Sequence, residues 1–204
     1  MLFSTQAGEH YRENKHKKLK EILNPHGTII DVGCATGYTT NFLHNLGLDA
    51  IGIDVSPEMI RYAAEKYPHL RFCVCSAEEM SRVVTGVDYV YIAGVLSEEN
   101  ADNILDECHR TLKNNGKVVI VVSRGSWVWR VYDVFHRSLP SRSFTRQSLI
   151  HSLAKHGFEV ESCCSFGLVP YNCPQKLLGL ALYVEKIFGD KGGFSLFTVA
   201  RKTS

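Results

Sequence analysis

The stretch TIIDVGCATGYTTNFL, Thr28 to Leu43, places a short β-branched run, an acidic residue and two glycines directly before a segment of helical character. In an open α/β sheet, ligands bind outside the carboxyl ends of the strands, where a glycine-rich turn lets the backbone approach the ligand. The N-terminus of the following helix presents free amides there. Gly33 and Gly37 frame such a turn, so we expect the ligand site at this junction.

The turn differs from the patterns that bind dinucleotides or nucleotide phosphates. Ala35 and Tyr38 occupy the second and third glycine positions of G-x-G-x-x-G, and the sequence has no G-x-x-x-x-G-K-[ST] loop. Asp31, before the turn, would repel a pyrophosphate but would suit a ligand that carries an ammonium group. Asp54 follows roughly 20 residues later, the spacing at which an acid takes ribose hydroxyls. The pattern favours a nucleoside joined to a cationic group.

The composition limits the class of protein. The 204 residues are 45% hydrophobic and 22% charged, which suits a single domain over residues 1–204 with a continuous core. The formal net charge of +2 supplies no broad field for a phosphate backbone, so we do not expect DNA as a partner. Seven cysteines, an odd number, and a start without the features of a secretory signal favour a cytoplasmic protein without disulfides. No apolar run is long enough to predict a transmembrane segment.

Strand-like runs alternate with amphipathic helical segments, which predicts a Rossmann-like, doubly wound α/β sheet whose strands are mostly parallel. The predicted strands are Thr28 to Gly33, Ala50 to Val55, Leu70 to Cys75, Val87 to Val95, Lys117 to Ser123, Phe158 to Phe166 and Ser195 to Arg201. The predicted helices are Tyr38 to Asn45, Pro57 to Lys66, Glu99 to Leu112 and Thr145 to His156, after an N-terminal helix at about Gly8 to Leu23. Residues 1–27 form an N-terminal helical cap in this prediction, and residues 167–194 form a helical lid between strands six and seven.

Five motifs, in order, resemble those of the class I S-adenosylmethionine-dependent methyltransferases, in particular the small type 11 methyltransferase domain. They are DVGCATG at Asp31 to Gly37, GIDVSPEMI at Gly52 to Ile60, CSAEEM at Cys75 to Met80, VDYVYIAGVL at Val87 to Leu96 and RTLKNNGKVVI at Arg110 to Ile120. The resemblance implies S-adenosyl-L-methionine as cofactor and S-adenosylhomocysteine as product. It also implies a final antiparallel strand, which SLFTVARK near the end of the chain would supply.

The resemblance assigns cofactor contacts to residues of this sequence. The turn from Gly33 to Gly37, including Cys34 and Ala35, would surround the methionine part, and Asp54 would take the ribose hydroxyls. The other implied contacts are Val55 and Met59 in the adenine slot, Ser76, Ala77 and Glu78 at its edge, and Ala93 and Gly94 near the methionine amino group.

The sequence departs from the family at two places, and simpler explanations exist for some residues. The family usually has Asp where this chain has Ser76, and commonly His where this chain has Ser97 and Glu98. Asp31 could instead cap a helix or support the glycine turn, and Asp54 could be an exposed acid at a strand end. The cysteine and histidine spacings match no metal-binding pattern, so we expect no metal.

The acceptor must be sought outside the cofactor motifs, because the sulfonium already activates its methyl group and the protein mainly positions a nucleophile. Three segments remain: the N-terminal helix with His10, Tyr11 and Arg12, the linker Gly125 to Phe144, and the insertion Gly167 to Phe194. The linker is rich in aromatic residues, and Leu177 to Phe188 is apolar on nearly every face, so it needs cover from protein, substrate or a membrane surface.

This composition favours a small hydrophobic methyl acceptor, such as a quinone, polyketide, sterol-like or lipid precursor. His136, Tyr132 and Tyr171 could exchange protons with it or orient it, and they are the candidate catalytic residues. The alternatives are that both segments simply pack on the sheet, that the acceptor is a protein or RNA, or that the chain is a non-catalytic regulatory subunit that binds S-adenosylmethionine.

Overall fold

The computed structural model describes residues 6–123, 144–167, 175–188, 193 and 195–203. Its strands are β1 (Thr28–Val32), β2 (Asp49–Asp54), β3 (Arg71–Val74), β4 (Val87–Ala93), β5 (Leu112–Ser123), β6 (Phe158–Phe166) and β7 (Ser195–Lys202). Its helices are α1 (Gln6–Ile22), α2 (Tyr38–Asn45), α3 (Pro57–Lys66), α4 (Ala101–Thr111), α5 (Arg146–Lys155) and α6 (Gln175–Phe188), with a 3₁₀ helix at Ala77–Arg82.

The seven strands form one sheet in the order β3-β2-β1-β4-β5-β7-β6. Strands β1 to β5 pair in parallel, whereas β7 runs antiparallel to both β5 and β6. The predicted doubly wound sheet with an antiparallel last strand is therefore confirmed. The strand order reverses between β1 and β4, and ligands bind in the crevice that such a reversal opens at the carboxyl ends of the strands.

Helices cover both faces of the sheet. On one face, Leu19 of α1 and Leu43 of α2 pack with Tyr91 of β4 in a buried cluster. On the other face, Ile104 of α4 and Leu149 of α5 belong to a larger cluster with the central strands. Helix α6 packs against α1, where Leu178 and Ala7 are both buried. The described helices include none that is long and apolar enough to cross a membrane.

The starts of two helices flank the crevice, and each follows from local sequence. Helix α3 begins after Ser56, whose hydroxyl accepts a hydrogen bond from the Met59 amide at 3.3 Å, and Pro57 occupies its first turn. This N-cap is the one that Ser-Pro predicts. Helix α2 begins after Gly37, which has a left-handed backbone with φ of 73°.

Several bounds differ from the sequence prediction by one or two residues, and two elements differ more. Strand β5 begins at Leu112, five residues before the predicted start at Lys117, because Leu112 already pairs with Val87 of β4, and the register then shifts before Lys117 pairs with Tyr89. The 3₁₀ helix at Ala77–Arg82 was not predicted at all. The bounds proposed for the N-terminal cap and the lid stay predictions, although α6 lies within the predicted lid.

Candidate functional site

The turn after β1 is held tightly against the end of β2. The backbone amides of Gly33 and Cys34 both donate to the carbonyl of Ile53, at 2.8 and 3.0 Å. Gly33 and Gly37 have φ of 73°, and Ala35 between them has φ of 45°. A side chain is strained in this left-handed region, which explains why glycine frames the turn.

Close packing adds a second reason for these glycines. A Cβ atom on Gly33 would lie 2.3 Å from Cγ2 of Val95, and one on Gly37 would lie 2.7 Å from the ring of Phe72. The loop after β4, which contains Val95, therefore approaches the turn directly. The two loops that frame the crevice between β1 and β4 are in contact.

Asp54, at the end of β2, connects the turn to the start of α3. Its Oδ2 accepts a hydrogen bond from the Ala35 amide and its Oδ1 accepts one from the Ser56 amide, both at 2.9 Å. A carboxylate has about four acceptor sites, so each oxygen can still accept a hydroxyl group. Asp54 therefore holds the turn and the start of α3 in place. It can still accept hydrogen bonds from a ligand at the opening of the crevice.

A cavity of about 210 Å³ opens beside Asp54. It is lined by Val32, Gly33, Asp54, Val55, Cys75, Ser76, Ala77, Glu78, Val95, Asn100 and Ile104. Six of these are predicted cofactor contacts: Gly33, Asp54, Val55, Ser76, Ala77 and Glu78. The wall combines aliphatic side chains with an acid, a hydroxyl and an amide, which suits a ligand with an apolar ring and a polar sugar.

The other predicted contacts lie outside the lining of this cavity. Cys34 is buried within the turn, and burial raises the pKa of its thiol, so that it stays protonated. Met59 is exposed on the first turn of α3. Ala93 ends β4, and Gly94 follows it with φ of 74°; among the described residues, no atom lies within 4 Å of an added Cβ. The backbone at Gly94 therefore borders open space at the carboxyl edge of the sheet.

Asp31 lies below the turn rather than in the cavity. Its side chain is 2% exposed and accepts a hydrogen bond of 2.7 Å from the Thr40 hydroxyl of α2. Burial raises the pKa of Asp31 to about 6, while the hydrogen bond from Thr40 and the charge of Lys15 oppose that rise. This geometry matches the supporting role that the sequence left open for Asp31, and a direct contact with a ligand stays a prediction.

Sequence reasoning missed several residues of the lining, of which Asn100 is the most informative. Its amide nitrogen donates to the Val95 carbonyl at 3.0 Å, and its Oδ1 accepts from the Ser97 amide at 2.7 Å. These bonds fix the loop that follows β4. An Asn directly before a helix is an N-cap signal. The predicted helix began at Glu99, so Asn100 was placed inside the helix and its role as the N-cap was not predicted. Cys75 was not among the predicted cofactor contacts, yet it is partly exposed and lines the cavity.

The described residues that were predicted to contact the methyl acceptor do not line this cavity. Tyr132, His136 and Tyr171 lie outside the described residues. On α1, Tyr11 stacks on Phe166 with ring centroids 5.1 Å apart and shares a hydrogen bond of 2.9 Å with the Ser195 hydroxyl. The N-terminal helix thus packs onto the carboxyl edge of the sheet, at the end of β6 and the start of β7.

Residues 29–116, from β1 into β5, match the family described as Methyltransferase domain. The chain contains a class I S-adenosylmethionine-dependent methyltransferase domain. S-adenosylmethionine is the cofactor that this family uses. The left-handed glycines, the open space at Gly94 and the free acceptor sites of Asp54 fit that group, because they offer backbone and an acid to a nucleoside.

Relatives of known name are similar over part of the chain. Demethylmenaquinone methyltransferase of Chlorobaculum tepidum is 28% identical over 145 residues, which are 68% of this chain and 60% of that protein. The first curated relatives are matched over only 18% to 59% of their own length. The chain therefore spans less than two thirds of these proteins.

Solved structures share the fold over nearly the whole chain. A S-adenosylmethionine-dependent methyltransferase from Archaeoglobus fulgidus has a TM-score of 0.69 and 18% identity, and the match covers 95% of this chain and 97% of that one. A TehB-like methyltransferase from Corynebacterium glutamicum has a TM-score of 0.64 and 20% identity, with 93% and 87% covered. The methyltransferase fold thus extends beyond residues 29–116.

Proposed function

We propose that this protein transfers a methyl group from S-adenosylmethionine to a small apolar or aromatic acceptor and releases S-adenosylhomocysteine. The observation that carries the proposal is the cavity at the strand reversal, bounded by the Gly33 turn and Asp54. A nucleoside with a cationic sulfur is the ligand that this combination suits best.

Each part of the cavity has a distinct task in this proposal. The free acceptor sites of Asp54 receive the ribose hydroxyls, and Val55, which is 73% exposed, offers an apolar surface to the adenine ring. Ser76 already accepts the Glu78 amide at 3.3 Å as the cap of the 3₁₀ helix, so its hydroxyl hydrogen stays available for the base. The bound cofactor supplies an activated methyl group, and the chain contributes position and exclusion of water.

The acceptor side of the proposal depends on α6. Leu180, Tyr183 and Ile187 are 64%, 62% and 58% exposed, and they fall on one face of the helix at spacings of three and four residues. The opposite face packs against α1 through Leu178. An apolar acceptor would cover the exposed face, and the name of the relative from Chlorobaculum tepidum, a demethylmenaquinone methyltransferase, supports a quinone-like molecule. Tyr132, His136 and Tyr171 are the proposed groups for orienting the acceptor or taking its proton.

The test combines binding and turnover on the full chain. Isothermal titration calorimetry should detect the binding of S-adenosylhomocysteine. Incubation with radiolabelled cofactor and a panel of quinones, phenols and acyl compounds should show methyl transfer to one of them. Absence of binding would contradict the donor site. Binding together with transfer to RNA or protein alone would contradict the small acceptor, and binding without any transfer would favour a regulatory subunit.

A further inference from the structure

Two cysteines lie two residues apart at the edge of the sheet, next to the cavity. Cys73 belongs to β3, and Cys75 directly follows that strand. Strand β3 is the outermost strand of the described sheet, and among the described strands it pairs only with β2. Both thiols are partly exposed, whereas those of Cys34, Cys108 and Cys163 are buried. The two thiols are therefore open to small reagents, and no step of the proposed methyl transfer uses them.

The backbone places the two thiols on the same face of the strand. Residues two apart along an extended strand point to the same side, with Cα atoms roughly 6.6 Å apart. The Cys75 amide still donates to the Asp54 carbonyl at 3.0 Å, so the extended pairing with β2 continues through Cys75. Both cysteine side chains also pack against the larger buried cluster that contains Ile104. The spacing lies within the range of about 4.4 to 6.8 Å between Cα atoms that a disulfide spans.

Cys75 connects this pair to the cavity. Its side chain lines the cavity, and its thiol donates to the Ser76 carbonyl at 3.3 Å. Ser76 in turn caps the 3₁₀ helix through the Glu78 amide, and Ser76, Ala77 and Glu78 also line the cavity. A bond from Cys75 to Cys73 would remove the thiol hydrogen that contacts Ser76 and would draw Cys75 away from the cavity wall. The wall would then change next to the residues proposed to receive the adenine ring.

We propose that Cys73 and Cys75 form a reversible disulfide in the presence of a low-molecular-weight disulfide such as oxidised glutathione, and that this bond weakens binding of S-adenosylmethionine; the identity of the cofactor rests on the proposed function. The Cys75 thiolate first attacks one sulfur of the reagent, which releases one thiol and leaves a mixed disulfide. The Cys73 thiolate then attacks the Cys75 sulfur and releases the second thiol. Two protein thiols are oxidised, one reagent disulfide is reduced, and the two protons pass to the released thiols.

The surroundings of Cys75 make this exchange slow but leave its equilibrium open. Burial raises the pKa of the Cys75 thiol, and the charges of Cys73 and Glu79 add to that rise. The thiolate fraction is therefore small at neutral pH. The final extent of oxidation depends on the ratio of disulfide to thiol in the medium and not on the rate. Bound cofactor covers Cys75, so cofactor binding and disulfide formation oppose each other reciprocally.

The experiment equilibrates the full chain, without cofactor, in mixtures of oxidised and reduced glutathione. Peptide mass spectrometry should find a bond between Cys73 and Cys75. Isothermal titration calorimetry should show that the oxidised protein binds S-adenosylhomocysteine about tenfold more weakly or worse, and dithiothreitol should restore the affinity. Saturating S-adenosylhomocysteine during the oxidation should protect the pair, because the coupling is reciprocal.

Cys73→Ser separates the disulfide from other effects of oxidation. This variant should bind S-adenosylhomocysteine normally when reduced, and its oxidation should stop at a mixed disulfide of glutathione with Cys75. Cys164→Ser is the matched control, because Cys164 is also partly exposed but lies on β6. It should form the disulfide and lose affinity as the unchanged protein does.

The unchanged protein alone decides the inference, even if a variant fails to fold. Absence of a bond between the two cysteines under oxidising conditions would overturn it. A bond that forms and leaves the affinity unchanged would overturn it as well. A reduced protein that binds no S-adenosylhomocysteine would instead contradict the proposed function, while the peptide masses would still decide whether the disulfide forms.

Discussion

At the scale of single residues, Asp54 joins two functions in one carboxylate. Its two oxygens hold the Ala35 and Ser56 amides, so the position of the turn and the start of α3 depend on it. Its remaining acceptor sites face the cavity that it lines. A change at Asp54 therefore removes contacts to the ligand and also loosens the turn that contains them.

Asp54→Ala should weaken S-adenosylhomocysteine binding at least tenfold. Each hydrogen bond to a charged group contributes about 1.5 to 3 kcal/mol, and two such contacts to the ribose would be lost. Asp49→Ala is the matched control, since Asp49 begins the same strand and pairs with Arg71 at the exposed opposite end. Isothermal titration measures both variants. Unchanged affinity in a folded Asp54→Ala variant would remove Asp54 from the binding site.

Asp31 predicts a pH dependence of stability with a definite sign. Its pKa is about 6 in the folded protein against 3.8 for the ordinary group, so the folded state binds the proton more tightly than the unfolded state does. The associated stability is present at low pH and is lost as the pH rises through about 6. With about 1.4 kcal/mol per pKa unit, the change is on the order of 3 kcal/mol.

The comparison variant is Asp31→Asn, which can still accept the Thr40 hydroxyl but does not ionise. Relative to Asp31→Asn, the unchanged protein should lose free energy of unfolding between pH 4 and pH 7. Urea unfolding at several pH values measures the difference. A difference that does not vary with pH would mean that Asp31 titrates as an ordinary exposed acid.

The family motifs predicted Asp54, Val55 and Ser76 as cofactor contacts, and all three line the cavity because they lie at or just after the ends of neighbouring strands. It could not show that Asp31 points beneath the turn, since that depends on which face of β1 receives α1. Cys75 and Asn100 were missed for a related reason. Their contribution arises from the loop conformation after a strand, and hydrophobic periodicity carries no information on it.

At the scale of elements, the turn between β1 and α2 depends on glycine for two separable reasons. Gly33 has a left-handed backbone, and an added Cβ would contact the Val95 side chain at 2.3 Å. Gly86 has a similar φ of 76°, but nothing lies within 4 Å of an added Cβ. The two positions share the backbone strain and differ in the steric clash.

Gly33→Ala should therefore destabilise the protein more than Gly86→Ala. The backbone contribution alone is roughly 1 to 2 kcal/mol at each site, and the clash adds to it only at Gly33. Only Gly33→Ala should also weaken S-adenosylhomocysteine binding. Urea unfolding measures the stability of each variant, and isothermal titration calorimetry measures its affinity for S-adenosylhomocysteine. Equal losses of stability, with normal binding by both variants, would show that the turn is not the donor site.

The same elements show how far the sequence determined the fold. The bounds of α2, α3 and β6 agree with the prediction, because a glycine, a Ser-Pro pair and another glycine mark their ends. The 3₁₀ helix has no apolar repeat of sufficient length to reveal it. The early start of β5 follows from its pairing with β4, which local sequence does not specify.

At the scale of the whole molecule, alternating strands and helices predicted a parallel sheet, and the family resemblance added that its last strand is antiparallel, but neither predicted the position of that strand in the sheet. Strand β7 lies between β5 and β6 in the sheet. This position brings Ser195, the first residue of β7, within hydrogen-bond distance of Tyr11 of α1. Helix α6, the helix before β7, is also fixed against α1, which places one apolar face outward.

The exposed apolar face of α6 is the surface that we expect to contact the acceptor. If α6 covers the acceptor, Leu180→Asn combined with Tyr183→Asn should lower kcat/KM for the acceptor at least tenfold, because apolar contact and exclusion of water are lost together. Binding of S-adenosylhomocysteine and the Tm should stay unchanged, since both side chains are exposed. Leu178→Ala is the contrasting variant, because Leu178 is buried against α1 and its loss should lower the Tm.

The larger change replaces Gln175 to Lys191 with a short Gly/Ser linker. With every proposed donor contact before residue 125, cofactor binding should stay within a few-fold while methylation falls by orders of magnitude. An unfolded product would show that α6 is needed for the core through its contact with Ala7 rather than for the substrate. Normal turnover by a folded product would instead direct the search for the acceptor site to α1, where Arg12 lies over Tyr38 just after the turn and Tyr11 packs on Phe166 at the end of β6.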